Sequence, residues 1–277
     1  MELTQDQLYD KALQTVGAVA KLPVVRVNKD DFLKKQFADS PYLNDILTNG
    51  PQSVYSLEYL RKKAEKIVLD CTNKTSITSF VTGLPSNPLV MVAAGGADIV
   101  QYFGFAINMA QQIAYLFGED DLFSGESDEI SDETKVRLII YLGVMFGAGG
   151  AASLIANISK KSGQVIGKKV AAKALTKTTW YPVFKKVAAL IGQKITKKTV
   201  EKTITKAIPV VGGVISGGLT YVTFKPMGKK LVQALIDNIT NESTPEPELN
   251  PEFAKKIKKA ETADEVYLDA EFYELDE

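Results

Sequence analysis

The sequence predicts an all-α fold, a helical bundle with glycine-rich apolar helical hairpins and a disordered acidic C-terminal tail. Three observations carry that prediction. Apolar residues recur at helical spacing, most clearly Leu57, Leu60, Ala64, Ile67, Val68 and Cys71. Side chains that favour helix starts stand just ahead of such patterns at Thr4, Asn28 and Ser56. No segment alternates apolar and polar residues over a strand's length, and no solenoid-type repeat is present.

Taken in order, "LTQDQLYDKALQTVGAVAKL" opens with Thr4 and Gln7 spaced as a capping box and is stopped by Pro23. A second helix is expected over residues 30–37, behind Asn28. "LTNGPQS" reads as a turn, after which Ser56 caps a long helix running to about residue 82. Three apolar stretches follow, at residues 88–118, 138–159 and 207–224, and the second and third contain no charged residue. Each approaches the roughly 20 residues that span a bilayer core. The expected helices at 88–118, 138–157 and 207–224 form the centre of the bundle. Gly143, Gly147 and Ala151, like Gly213 and Gly217, place small residues four apart, the spacing that lets helix backbones approach closely.

Domain limits follow from composition. Residues 1–55 form an N-terminal helical segment and residues 56–240 the main helical domain. Residues 241–277 form a tail that begins with the Pro/Glu-rich "NESTPEPELNPEF". The polar, acidic start "MELTQDQLYDKALQ" has no basic region followed by an apolar one, so no signal peptide is expected.

The 277 residues carry 33 basic and 33 acidic side chains, but the zero net charge hides a strong asymmetry. Residues 160–206 hold thirteen lysines against one acid, Glu201, a net charge of +12. Residues 119–133 hold eight acids and no base before Lys135, and residues 242–277 twelve acids against four lysines. Blocks of this kind seek partners of opposite charge, inside the chain or outside it. The basic block reads as amphipathic segments suited to an anionic membrane surface. Its contacts would be Lys160, Lys161, Lys168, Lys169, Lys173 and Lys177, followed by Lys185, Lys186, Lys194, Lys197 and Lys198. Nucleic acid is not the expected polyanion, because the block has no arginine and no recognisable nucleic-acid-binding motif. The acidic tail mixes its carboxylates with Val266, Tyr267, Leu268, Phe272, Tyr273 and Leu275, the look of a docking peptide for a protein partner or of an internal counter-ion.

The stretch at 88–118 has one ionisable residue, Asp98. On a helix, Asp98, Gln101, Asn108, Gln112 and Tyr115 fall on one stripe, with Phe105 filling the missing step. Such a stripe fits a hydrogen-bonded network between helices, a polar groove for a ligand, or, if the segment spans a bilayer, an ion or proton path. Catalytic patterns are missing: the chain has no histidine, no Walker A loop, no G-x-S-x-G elbow and no dinucleotide fingerprint. One cysteine, Cys71, rules out an internal disulfide and a thiolate metal cluster, and its expected role is a small buried apolar side chain. The acidic run 118–133 does not have EF-hand spacing and is expected to be a solvated loop. No metal and no cofactor are therefore expected.

"SITSFVTGLPSNP", then "GADIVQYFGFAINMAQQIAYLFGEDD", an uncharged Gly/Ala-rich segment, and "AIPVVGGVISGGLTY" resemble the EcsC family of bacterial proteins over about residues 56–237. The resemblance rests on the turn at residues 83–85, Asp98, a Gln at 112 or 111, the ending at Gly118 and the segment 208–213. "SNP" departs from the glycine-rich continuation expected after "GLP". The resemblance implies a membrane-associated helical protein. The expected function is thus a non-catalytic accessory or interaction protein, peripheral or integral at the cytoplasmic membrane. A soluble lipid- or ligand-binding bundle and a membrane-inserting pore former are the alternatives.

Overall fold

A computed structural model of the chain describes residues 3–73, 97–123, 130–158, 181–196 and 217–240. Among the described residues there are eight α-helices and no strand. They are α1 (Gln5–Ala20), α2 (Lys29–Gln36), α3 (Leu43–Asn49), α4 (Leu57–Thr72), α5 (Ala97–Leu116), α6 (Asp132–Met145), α7 (Tyr181–Thr196) and α8 (Gly217–Thr240). The tail beyond residue 240 and most of the lysine block lie outside the described residues.

The three predicted caps, Thr4, Asn28 and Ser56, set the starts of α1, α2 and α4, and Ser131 does the same for α6 without having been predicted. In α1 the Thr4 hydroxyl accepts from the Gln7 N–H at 3.3 Å while the Gln7 side chain accepts from the Thr4 N–H at 2.9 Å, the reciprocal box the sequence announced. Asn28 Oδ1 accepts from the Asp31 N–H, Ser56 Oγ from Tyr59 and Ser131 Oγ from Thr134. The predicted face of α4 is the inward one: Leu60, Ala64, Ile67, Val68 and Cys71 are buried, and Leu57 is partly so. α4 itself ends at Thr72, where Asn73 turns extended (ψ 158°), so the single helix expected to reach residue 82 is broken there; residues 74–82 lie outside the described ones.

α5 and α6 form the centre of the bundle. One pair, α1 and α7, packs on one side of α6, and a second pair, α4 and α8, packs on α5. α6 is buried around its whole circumference from Leu138 to Met145, which is what an uncharged, uniformly apolar helix requires. Glycine lets these helices approach closely. A Cβ at Gly192 of α7 would fall on the Leu8 carbonyl of α1, and one at Gly143 of α6 on the Val187 side chain of α7.

Three further expectations need correction. "LTNGPQS" is not simply a turn, since α3 runs into it as far as Asn49 before Gly50 and a short 3₁₀ turn, Pro51–Ser53, end it. The apolar stretch 138–159 is not one helix. Gly147 (φ 72°) and Gly150 (φ 80°) take backbone conformations that end α6 at Met145, and a short 3₁₀ segment, Ala152–Asn157, follows. Gly147 thus terminates a helix instead of lining a close helix contact. The third stretch continues past residue 224 into the 24-residue α8, which runs through Pro226 to Thr240. No helix among the described residues is long and apolar enough to cross a membrane.

Candidate functional site

α5 carries the polar stripe, and its members fall into two clusters with different chemistry. Asp98 stands in the first turn of α5, but its side chain lies outside the described residues. The Gln101 amide nitrogen is sealed from solvent with no hydrogen-bond partner among the described residues. Phe105 fills the next step and packs edge-on against Phe224 of α8 at 4.6 Å between ring centres.

The first cluster consists of amides. Asn108 Nδ2 donates to the backbone carbonyls of Val24 and Val25 at 3.4 and 3.3 Å. Gln112 Nε2 donates to Asn108 Oδ1 at 2.8 Å and so holds that amide in place. Gln111, one residue off the stripe, is the most buried of the three at 0% exposure. Its Nε2 donates to the Val25 carbonyl at 2.8 Å and to the Ile107 carbonyl at 3.0 Å, while its Oε1 accepts from the Val27 N–H at 2.8 Å. The segment between α1 and α2 has no helical ladder of its own here, so these side chains supply partners to backbone groups that would otherwise be buried unpaired. On the far side of Gln112 lies Cys71, whose thiol is pushed up to about 12 by burial first and by Asp70 second. That thiol is a packed apolar group and not a nucleophile.

The second cluster closes the C-terminal end of α5 and contains charge. The Tyr115 hydroxyl donates to Asp121 Oδ1 at 3.1 Å and accepts from the Leu122 N–H at 3.2 Å. The Leu122 carbonyl in turn accepts from the Thr134 hydroxyl at 2.7 Å. Just beyond, Glu119 is only 6% exposed and accepts from the Tyr141 hydroxyl at 3.2 Å. Arg137 stands nearby on α6, with its Nη2 donating to Glu133 Oε1 at 2.8 Å. Burial pushes the Glu119 carboxyl up to about 7, against the pull of the Arg137 guanidinium and the Tyr141 hydroxyl. Burial likewise raises the Tyr141 phenol well above its ordinary value, helped by Glu119.

The expectation that the acidic run is a solvated loop is therefore corrected at its start. Glu119 and Leu122 are buried, and Ser131 begins a core helix. The sequence offers Gln111 only as an alternative to Gln112, and Glu119 only as one of the eight acids of residues 119–133. The signal for Gln111 was its spacing of four from Ile107 on the apolar side of α5; Glu119, one acid in a run of eight, had no local signal to set it apart.

A carboxylate, a phenol and a guanidinium together suggest acid–base chemistry, but access decides the matter. Glu119 is 6%, Arg137 5% and Tyr141 0% exposed, so the described residues alone bury all three groups. What the arrangement can do is hold the chain between α5 and α6 against both helices.

Of the predicted membrane contacts, Lys185, Lys186 and Lys194 lie on α7, and the other eight lie outside the described residues. The apolar face of α7, with Phe184, Val187, Ala188 and Ile191, is buried against α1 and α6. Lys185 pairs with Asp6 of α1, and Lys194 lies over the Phe146 ring at 5.1 Å. Lys186 is exposed. No family model, no curated protein and no solved structure matches the chain.

Proposed function

We propose that this chain is a non-catalytic helical accessory protein that attaches to the cytoplasmic face of an anionic membrane; its resemblance to the EcsC family implies the membrane association alone. The observation that carries the reading is the charge of residues 160–206, thirteen lysines against one acid. The burial of α7 adds a mechanism. Its apolar face is spent inside the bundle, so this part of the basic block attaches through charge and not by immersing a hydrophobic stripe. Near an anionic surface each lysine contributes about 1 kcal/mol, so five engaged together supply roughly 5 kcal/mol, weakened by salt. The polar residues of α5 support the non-catalytic part of the proposal, because the described ones other than Gln101 bond within the chain.

Flotation with vesicles tests this. The protein should rise with vesicles containing phosphatidylglycerol at low salt, stay behind with phosphatidylcholine alone, and release at about 0.5 M salt. Replacing Lys160, Lys161, Lys168 and Lys169 by Gln should weaken binding at least tenfold. Failure to bind anionic vesicles, with or without residues 241–277, contradicts the proposal.

A further inference from the structure

On the side of the bundle away from α7, α4 and α8 lie against each other and leave an open groove of about 330 Å³ along their outer edge. That volume falls in the range of ligand clefts, roughly 300–1,000 Å³. Its floor is apolar, with Val68, Leu69 and Val232, and Leu69 remains 43% exposed. Its rim is cationic: Arg61, Lys225 and Lys229 line it against a single acid, Glu65. The Arg61 guanidinium is already oriented, since Nη1 donates to Gln233 Oε1 at 2.9 Å and Gln233 Nε2 donates to Asp237 at 2.6 Å. An apolar floor under a positive rim suits an extended or helical segment that carries apolar side chains among carboxylates.

We infer that the groove receives the end of this same chain, residues 264–277. That segment, "DEVYLDAEFYELDE", contains seven acids and no base. Its Leu268, Phe272 and Leu275 are spaced four and three apart, the interval that puts three apolar side chains on one helical face. The position of the tail favours it over any free partner. The chain leaves α8 at Thr240, seven residues beyond Gln233, or about 10 Å along the helix. The intervening residues 241–263 can span up to about 76 Å, far more than the return to the groove requires. Tethering raises the local concentration of the tail to the order of millimolar, so a site with an intrinsic Kd of about 100 µM is filled roughly nine-tenths of the time. The inference stands apart from the membrane reading, because the groove is formed by α4 and α8 and not by the lysine block.

Hydrogen–deuterium exchange on the full-length chain tests it. In the wild type, amides of residues 266–275 should exchange about tenfold more slowly than in Phe272→Ala/Leu275→Ala, a change confined to the tail. Arg61→Glu/Lys229→Glu should release the tail to the same fast rate, with Lys229→Glu alone, at an exposed position, serving if the double variant fails to fold. Equal exchange in wild type and tail variant overturns the inference. So does protection that survives the groove variants, which would place the tail on another surface such as the lysine block. Protection that grows with protein concentration also overturns it, because the tail would then belong to a second copy.

Discussion

The two polar clusters on α5 do similar structural work with opposite chemistry. Asn108, Gln111 and Gln112 are uncharged at every ordinary pH; the first two meet backbone groups of the segment after α1, and Gln112 braces Asn108. Two turns further on, Tyr115 and Glu119 tie the chain after α5 to itself and to α6, and the Glu119 carboxylate carries a desolvation cost. Both clusters tether irregular chain to a central helix. Only the second can respond to protons, so the comparison separates a fixed joint from one whose strength depends on solution conditions.

Gln111→Leu should produce the largest effect. It removes three hydrogen bonds and leaves the Val27 N–H without its side-chain partner, a loss of roughly 3 kcal/mol. Calorimetry should show the melting temperature falling by about 6–12 °C, to the same extent at pH 5 and pH 8. An unchanged melting temperature would mean that the amide joint is not structural. Tyr115→Phe comes next, since it strands the buried Leu122 N–H and should cost about 1–2 kcal/mol by urea unfolding. Gln112→Leu should cost less than about 1 kcal/mol, because the side chain is only half-buried and water can serve Asn108 in its place. If Gln112→Leu costs as much as Gln111→Leu, burial is not what separates the members of this cluster.

These differences also mark how far the sequence could be read. The starts of α1, α2 and α4 were legible because each has a capping side chain that bonds in one local pattern, independent of the rest of the fold. α3 was not: Tyr42 at its start offers no capping side-chain bond, and the seven residues are too few to show a period. The break in the second apolar stretch lay in Gly147 and Gly150: the four-residue spacing of Gly143, Gly147 and Ala151 suits a close helix contact equally well, so spacing alone kept the helix whole. The stripe on α5 was placed on the right helix, but spacing alone cannot rank its members by depth. Gln111 outweighs Gln112 because of where residues 24–27 pass, and that is decided by tertiary packing. Glu119 was hidden by its neighbours, since a run of acids reads as solvated until the fold turns one of them inward.

The most direct test of the contrast is the pH dependence of stability in Glu119→Gln against the wild type. The folded-state carboxyl is raised from 4.5 to about 7, mainly by burial, with Arg137, Tyr141 and Lys29 opposing and Asp120 adding to the rise. Raising a carboxyl in the folded state adds stability that is fully present below pH 4.5 and is lost as the pH climbs through 7. Glutamine keeps the uncharged form and still accepts from Tyr141. Urea unfolding should therefore give Glu119→Gln and wild type equal stability near pH 4.5, with the variant gaining on the order of 3 kcal/mol by pH 8. A variant that is no more stable than wild type at pH 8, or one whose advantage is the same at both pH values, would contradict the assignment of Glu119 as the buried, proton-sensitive joint.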